Sequence, residues 1–156
     1  MSIDTIERVE KFIQDDILTP DSYYGIFTSL NEDQRELGSG PYLEISVEAF
    51  TDKLLGTKPG TATQREEGVI VLGIFDVKAS GKRTLFEIRD KIRAATIDPT
   101  LPSKLKKLYP AVGELGTIVF YEISQRPPVE VNRSNSGIGW RKLDVLISYI
   151  KDYNVS

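Results

Sequence analysis

Residues 65–97 read REEGVIVLGIFDVKASGKRTLFEIRDKIRAATI, and this stretch decides the fold. From Gly68 to Lys78 both alternate rows are apolar: Val69, Val71, Phe75 and Val77 on one side, Ile70, Leu72 and Ile74 on the other. A strand apolar on both faces is covered on both, within the domain or on assembly. Ala79-Ser80-Gly81 supplies turn chemistry, and Thr84 with Glu87 three residues later has the spacing of a capping box for a helix over 84–97. On that helix Leu85, Ile88, Ile92 and Ala95 recur every three or four positions, a stripe that must pack on the sheet.

Outward from this core, the N-terminal segment 2–16 predicts an amphipathic helix. Ile3, Ile6, Val9, Phe12 and Ile13 lie on one face; Glu7, Arg8, Glu10, Lys11 and Gln14 lie on the other. Thr19-Pro20 ends it, because the residue before proline is pushed out of the helical region. Residues 21–30 hold Tyr23, Tyr24, Ile26, Phe27 and Leu30 without clean periodicity and read as a covering segment or a short extended piece; their aromatics suit packing better than a ligand shelf. Residues 31–40 read as a polar surface loop.

Residues 42–52 alternate Leu43, Ile45, Val47 and Ala49 with Glu44, Ser46, Glu48 and Phe50, a strand with one buried face. The following 53–67, KLLGTKPGTATQREE, reads as a long loop, and loops of this length are usually binding loops or locally disordered. SKLKKLY at 103–109 suggests a helical turn or two, with Lys104, Lys106 and Lys107 on a solvated face. Residues 116–125 form another alternating strand, ended by Arg126-Pro127-Pro128, since proline donates no ladder hydrogen bond. A second long loop covers 126–139. The last element, 140–152, alternates Leu143, Val145, Ile147 and Tyr149 with polar residues and reads as a strand whose final residues have some helical character. The sum is a single α+β domain over 1–156, with a mainly antiparallel sheet of about four strands and two principal helices packed on one face.

The chain has 156 residues, 20 basic and 23 acidic side chains spread along its length, and a net charge of −3, with no block that reads as a nucleic-acid footprint. It has no cysteine, so no disulfide or thiolate chemistry, and no histidine, which removes triad hydrolysis and histidine-ligated zinc. No apolar run approaches the roughly 20 residues needed to cross a bilayer, and the N-terminus carries no signal-peptide core, so a soluble protein made in a cytosol and without membrane contact is expected. The glycines at 113–116 and 137–139 lack the strand–helix context of a phosphate-binding loop and read as turns.

Asp76-Val77-Lys78 resembles the acid-x-Lys element of restriction-type nucleases, for which Glu44, Glu48 or Asp52 would supply the second carboxylate of a divalent-metal site. The Pro-Asp dipeptide usual ahead of that site is missing, and the sequence shows no basic groove for DNA, so the charges read better as strand-end surface groups. Trp140, after a glycine-rich loop, reads equally as a core anchor or an interface hot spot.

The run of a short helix, then PYLEISVEAF, then REEGVIVLGIFDV, a small-residue turn and an amphipathic helix resembles the tail-terminator family of long, non-contractile-tailed phages, the group that includes the U protein of lambda. The resemblance spans roughly residues 1–125 and rests on strand and turn patterns such as Glu67-Gly68-Val69-Ile70-Val71. The turn at Lys78-Ala79-Ser80-Gly81 departs from the proline and two glycines that many relatives carry. It implies a structural virion protein, not an enzyme, with no cofactor or metal. Such a protein is built in the host cytoplasm into a homohexameric ring at the virion tail. The ring would stop tail-tube polymerisation and meet the head-completion or connector proteins, with DNA only passing through its lumen. Metal-dependent nuclease activity and another head-to-tail joining or small binding role are the alternatives. A heterologous ring needs two different patches per subunit, and the expected contact residues are Arg65, Glu66, Glu67, Asn132, Arg133, Asn135 and Trp140.

Overall fold

The computed structural model describes residues 3–17, 25–28, 41–77, 81–132 and 139–155. It is an α+β structure in which a mainly antiparallel sheet carries two helices on one face. The strands are β1 (Gly25–Thr28), β2 (Tyr42–Lys58), β3 (Thr61–Val77), β4 (Lys107–Leu108), β5 (Thr117–Gln125), β6 (Val129–Asn132) and β7 (Gly139–Val155); the helices are α1 (Ile3–Phe12) and α2 (Arg83–Thr96). The order across the sheet is β1-β2-β3-β7-β5-β4, with β6 also paired to β7, and only β1–β2 is parallel. Among the described residues there are seven strands where about four are expected, the additional β1, β4 and β6 being only two to four residues long.

β3 is central, between β2 and β7, and residues 70–76 are buried on both sides, as its double apolar rows require. Towards the helices, Leu43, Ile45, Ile70, Leu72, Ile74, Leu143, Val145 and Ile147 meet Val9 and Phe12 of α1 and Leu85, Ile88 and Ile92 of α2. Each such side chain contributes about 1.5–3 kcal/mol when fully buried, so the α2 stripe alone explains its docking. The reverse face carries a smaller cluster in which Tyr42 and Phe75 stack at 4.8 Å and Trp140 meets Tyr42 edge-on at 5.5 Å.

Several boundaries differ from those the sequence suggests. Residues 53–67 are not a loop: β2 and β3 continue through them as a long hairpin closed at Pro59-Gly60, where Gly60 has φ +82°. Part of the expected second loop is β6, antiparallel to β7; 133–138 fall outside the described residues, as do most of 18–40. Residues 103–109 are not helical but turn, bridge Leu105 to Ile97, and enter β4. β7 stays extended to Val155.

In β5 a bulge between Phe120 and Glu122 shifts the alternation, so Ile118, Phe120 and Ile123 all pack towards the core. The first helical segment covers the expected residues, but its last turn, Ile13–Ile17, is π-helical. The Thr84–Glu87 capping box does not form: the cap position is Lys82 and makes no side-chain cap bond. Thr84 hydrogen-bonds Asp76 instead, and Glu87 receives a 2.8 Å bond from Arg83.

Candidate protein interaction surface

The apolar core ends at a buried polar cluster where α1 crosses the sheet. Thr5 donates to Glu66 Oε2 at 2.5 Å, Tyr149 donates to the same oxygen at 3.0 Å, and Lys151 Nζ donates to Thr5 Oγ1 at 2.8 Å. Lys151 Nζ also lies 3.3 Å from Asp4 and 3.8 Å from Glu66. Every charge here has an opposite charge or a hydrogen-bond partner, as the low-dielectric interior demands. Gly68 leaves room for this arrangement: a Cβ there would lie 3.1 Å from the Tyr149 ring.

Beyond that seal the strands run on into water. β3 stays paired to β7 as far as Ala62 opposite Val155, and the β2–β3 hairpin extends one pair further, Lys58 opposite Thr61, before its turn. Its base is held by polar cross-strand pairs: Arg65 grips Asp152 through two bonds of 2.7 and 2.8 Å, Thr63 donates to Asn154 at 2.9 Å, and Tyr153 donates to Gln64 at 2.9 Å. Asp152 is accordingly held below the usual carboxylate range by its bonds from Arg65. Residues 51–61 are all exposed, Leu54 and Leu55 at 59% and 46%, and Leu55 is the extra residue at a register shift between Leu54 and Gly56. Among the described residues, none of 51–61 belongs to either apolar cluster.

A second feature stands at the same end of the sheet. Arg8, placed by periodicity on a wet helix face, is buried, and its guanidinium donates to the carbonyls of Leu108 at 2.7 Å and Gly116 at 2.8 Å. Its Nε pairs with Glu114 at 3.1 Å, and Glu114 in turn accepts the Ala111 N–H at 2.9 Å. One arginine thus ties together both ends of the loop between β4 and β5. That loop displays Tyr109, Leu115 and a fully exposed Val112. No sequence pattern marked Arg8 for this role; the exposed apolar residues between Pro110 and Gly116 were the available signal.

The residues expected to contact a neighbour are scattered by this geometry. Arg65 and Glu67 lie at the arm base, Arg65 engaged with Asp152 and Glu67 with Lys53 at 3.5 Å. Glu66 is only 1% exposed and belongs to the buried cluster, so it presents nothing outward: its neighbours on β3 alternate faces, and the α1 side is closed. Trp140, 1% exposed, is likewise a core anchor rather than a surface hot spot. Asn132 pairs opposite Gly139 at the end of β6, and Arg133 and Asn135 fall outside the described residues.

The acid-x-Lys reading fares no better geometrically. Asp76 is 2% exposed and faces the helices, where its Oδ1 accepts the Val77 N–H at 2.8 Å and burial raises its pKa despite the bonds from Val77 and Thr84. In register Glu44 and Glu48 lie opposite Gly73 and Val69, on the other face of the sheet. Asp52 pairs with Glu66, ten residues along β3 from Asp76, about 33 Å at strand rise. Lys78 falls outside the described residues. Asp76 is a buried carboxyl bonded to Thr84 of α2 and to the Val77 N–H rather than the strand-end surface charge expected. Among the described residues no group of three or more carboxylates gathers as a metal site, and no helix is long and apolar enough to cross a membrane.

No family model and no curated protein matches the chain.

Proposed function

We propose that this chain is a structural, non-enzymatic subunit of a long-tailed phage virion that assembles as a homohexameric ring, ends tail-tube polymerisation and joins the tail to head-completion proteins. The observation that carries this reading is the β2–β3 arm. It is held in a three-stranded ladder with β7 as far as Ala62, exposed along 51–61, and bears Leu54 and Leu55 in water. An arm of that kind contributes to a subunit only through what it touches outside it. The strand–turn–helix resemblance supplies the biological setting, and a sheet whose two flanks differ supplies the two unlike patches that a heterologous ring requires.

The reading has two tests. Light scattering should give a particle of about 105 kDa, six times the 17.5 kDa chain. Electron microscopy of tails grown without the protein should show overlong tubes. Tubes of normal length that fail to join heads would instead favour the second reading, a head-to-tail joining component. Tubes of normal length joined to heads would sink both.

A further inference from the structure

Charge is unevenly placed along this chain. Residues 82–107 hold eight of its 20 basic side chains and three of its 23 acidic ones, so a chain of net charge −3 contains one region of +5. The sequence hides this region because its cations are not consecutive. On α2, Lys82 at the cap, Phe86, Arg89 and Arg93 follow one another at intervals of four, three and four, the spacing of a single helical row. Leu85, Ile88 and Ile92 hold the adjoining face of the helix on the sheet, so the row runs along its flank, with Lys82 and Arg93 exposed. Past the helix, the bridge between Ile97 and Leu105 folds the chain back: the Lys106 N–H donates to the Thr96 carbonyl at 2.9 Å and the Asp98 N–H to the Lys104 carbonyl at 3.0 Å. That closure sets Lys104 beside the last turn of α2, where Arg93 lies, and leads through Lys107 into β4.

The acids of this region are already engaged. Glu87 pairs with Arg83 at 2.8 Å, Asp90 with Arg89 at 2.9 Å, and Asp16, from the turn after α1, with Lys106 at 2.8 Å. Asp98 accepts the N–H and the hydroxyl of Thr100, and those bonds hold it below the usual carboxylate range. The cleft that Lys107 lines also holds Asp15, with Lys11 as a further cation. Among the described residues no ion pair reaches Lys82, Arg93, Lys104 or Lys107.

We infer that the α2 row, continued by Lys104 and Lys107, is a binding face for the phosphate backbone of duplex nucleic acid. Unpaired cations fixed on a rigid helix gain affinity by releasing the counterions condensed on a uniformly charged rod. From Lys82 to Arg93 the row is about 16 Å long at roughly 1.5 Å per residue, the length of nearly five phosphates along one strand at roughly 3.4 Å each. A single strand is held largely by stacking on aromatic rings, and the ring of this row, Phe86, is half-buried against the core with the Arg89 guanidinium 4.7 Å above it. A lipid surface needs apolar side chains to insert, and Ile97, at the end of the row, is the one large apolar residue the row sets in water. Phosphate contacts position a duplex without reading its bases, so binding is indifferent to sequence. One copy of the chain suffices, and the inference does not rest on the ring reading.

Fluorescence anisotropy of a short labelled DNA duplex with the intact chain tests this. Affinity should fall roughly 100-fold between about 50 and 200 mM salt, as about four phosphate contacts require, and should not change when the duplex sequence is scrambled. Arg93→Gln with Lys104→Gln should weaken binding about tenfold at low salt and reduce the salt slope by about two. Both positions are exposed, and Gln keeps an unbranched side chain at Lys104, whose φ is +59°, so an unchanged thermal midpoint should show the variant folded. Lys53→Gln with Lys58→Gln removes the same charge from the β2–β3 hairpin and should alter neither affinity nor slope. No binding at low salt, equal losses in the two double variants, or tighter binding of a single strand, of polyglutamate or of phosphatidylglycerol vesicles overturns the inference. Particle mass and tail length judge the ring reading separately, whichever way the duplex result falls.

Discussion

Tyr149 donates its phenolic hydrogen to Glu66 across 3.0 Å, with both side chains withdrawn from water. Lys151 lies 3.8 Å from the same carboxylate oxygen, and Thr5 bonds to both. Deleting one member strands an opposite charge in the interior, so Glu66→Ala and Lys151→Ala should each cost about 3–5 kcal/mol. Glu66→Leu combined with Lys151→Met should recover much of that loss, because a packed apolar pair does not need the other's charge. Urea midpoints at neutral pH measure both; single losses below about 1 kcal/mol would mean that water reaches the cluster.

Burial, and after it the charge of Glu66, holds the Tyr149 phenol well above its ordinary value of 10.0. The folded protein therefore keeps a proton that the unfolded chain releases near that value. The resulting stability is complete below about pH 10 and is lost as pH rises beyond it. Tyr149→Phe should be about 1–2 kcal/mol less stable at neutral pH yet lose less stability between about pH 9 and pH 11. Tyr153 is shifted in the same direction, so some slope should remain in the variant. Parallel losses in the two proteins over that window would show that Tyr149 does not carry the effect.

Hydrophobic period made the central layer readable. The doubly apolar run of 68–77, the alternation in 140–149 and the three-to-four spacing of Leu85, Ile88 and Ile92 correspond to the buried residues of β3, β7 and α2, because burial on one face or two leaves its mark in the chain. The arm was missed because an exposed strand has no buried face and so no period to show. Its Pro59-Gly60 turn, with Thr57, Thr61 and Thr63 around it, was the surviving signal. Arg8 and Glu66 were misplaced for the opposite reason: charged residues are read as wet, and their burial depends on partners 108 and 61 residues away in the chain.

Asp76 offers a stability gain. It is buried and its pKa is raised, chiefly by desolvation, so its contribution to stability is present below its unfolded value near 3.8 and lost as pH rises through the folded value. At neutral pH the ionised group is a burden. Asp76→Asn keeps an acceptor for the Val77 N–H and the Thr84 hydroxyl without the charge, and should raise the thermal midpoint at pH 7 but not below about pH 4. The same variant should leave ring assembly unchanged. A lower midpoint at pH 7 would mean that the carboxylate has a cation partner and is not a desolvated burden.

Two glycines of the Arg8-tied loop separate backbone strain from steric contact. Gly113 has φ +86° with open space around it, whereas Gly116 has φ +72° and a Cβ built there would fall 2.2 Å from the Asp152 carbonyl oxygen. Gly113→Ala should cost about 1–2 kcal/mol, the price of a left-handed conformation for an L residue. Gly116→Ala must also push β7 away at the point where Asp152 meets Arg65 and where the Gly116 carbonyl accepts from Arg8, so it should cost more than about 3 kcal/mol. Thermal unfolding of the two variants measures the difference. Equal stability losses in the two variants would mean that β7 yields freely at Asp152 and that the loop is not held from its base.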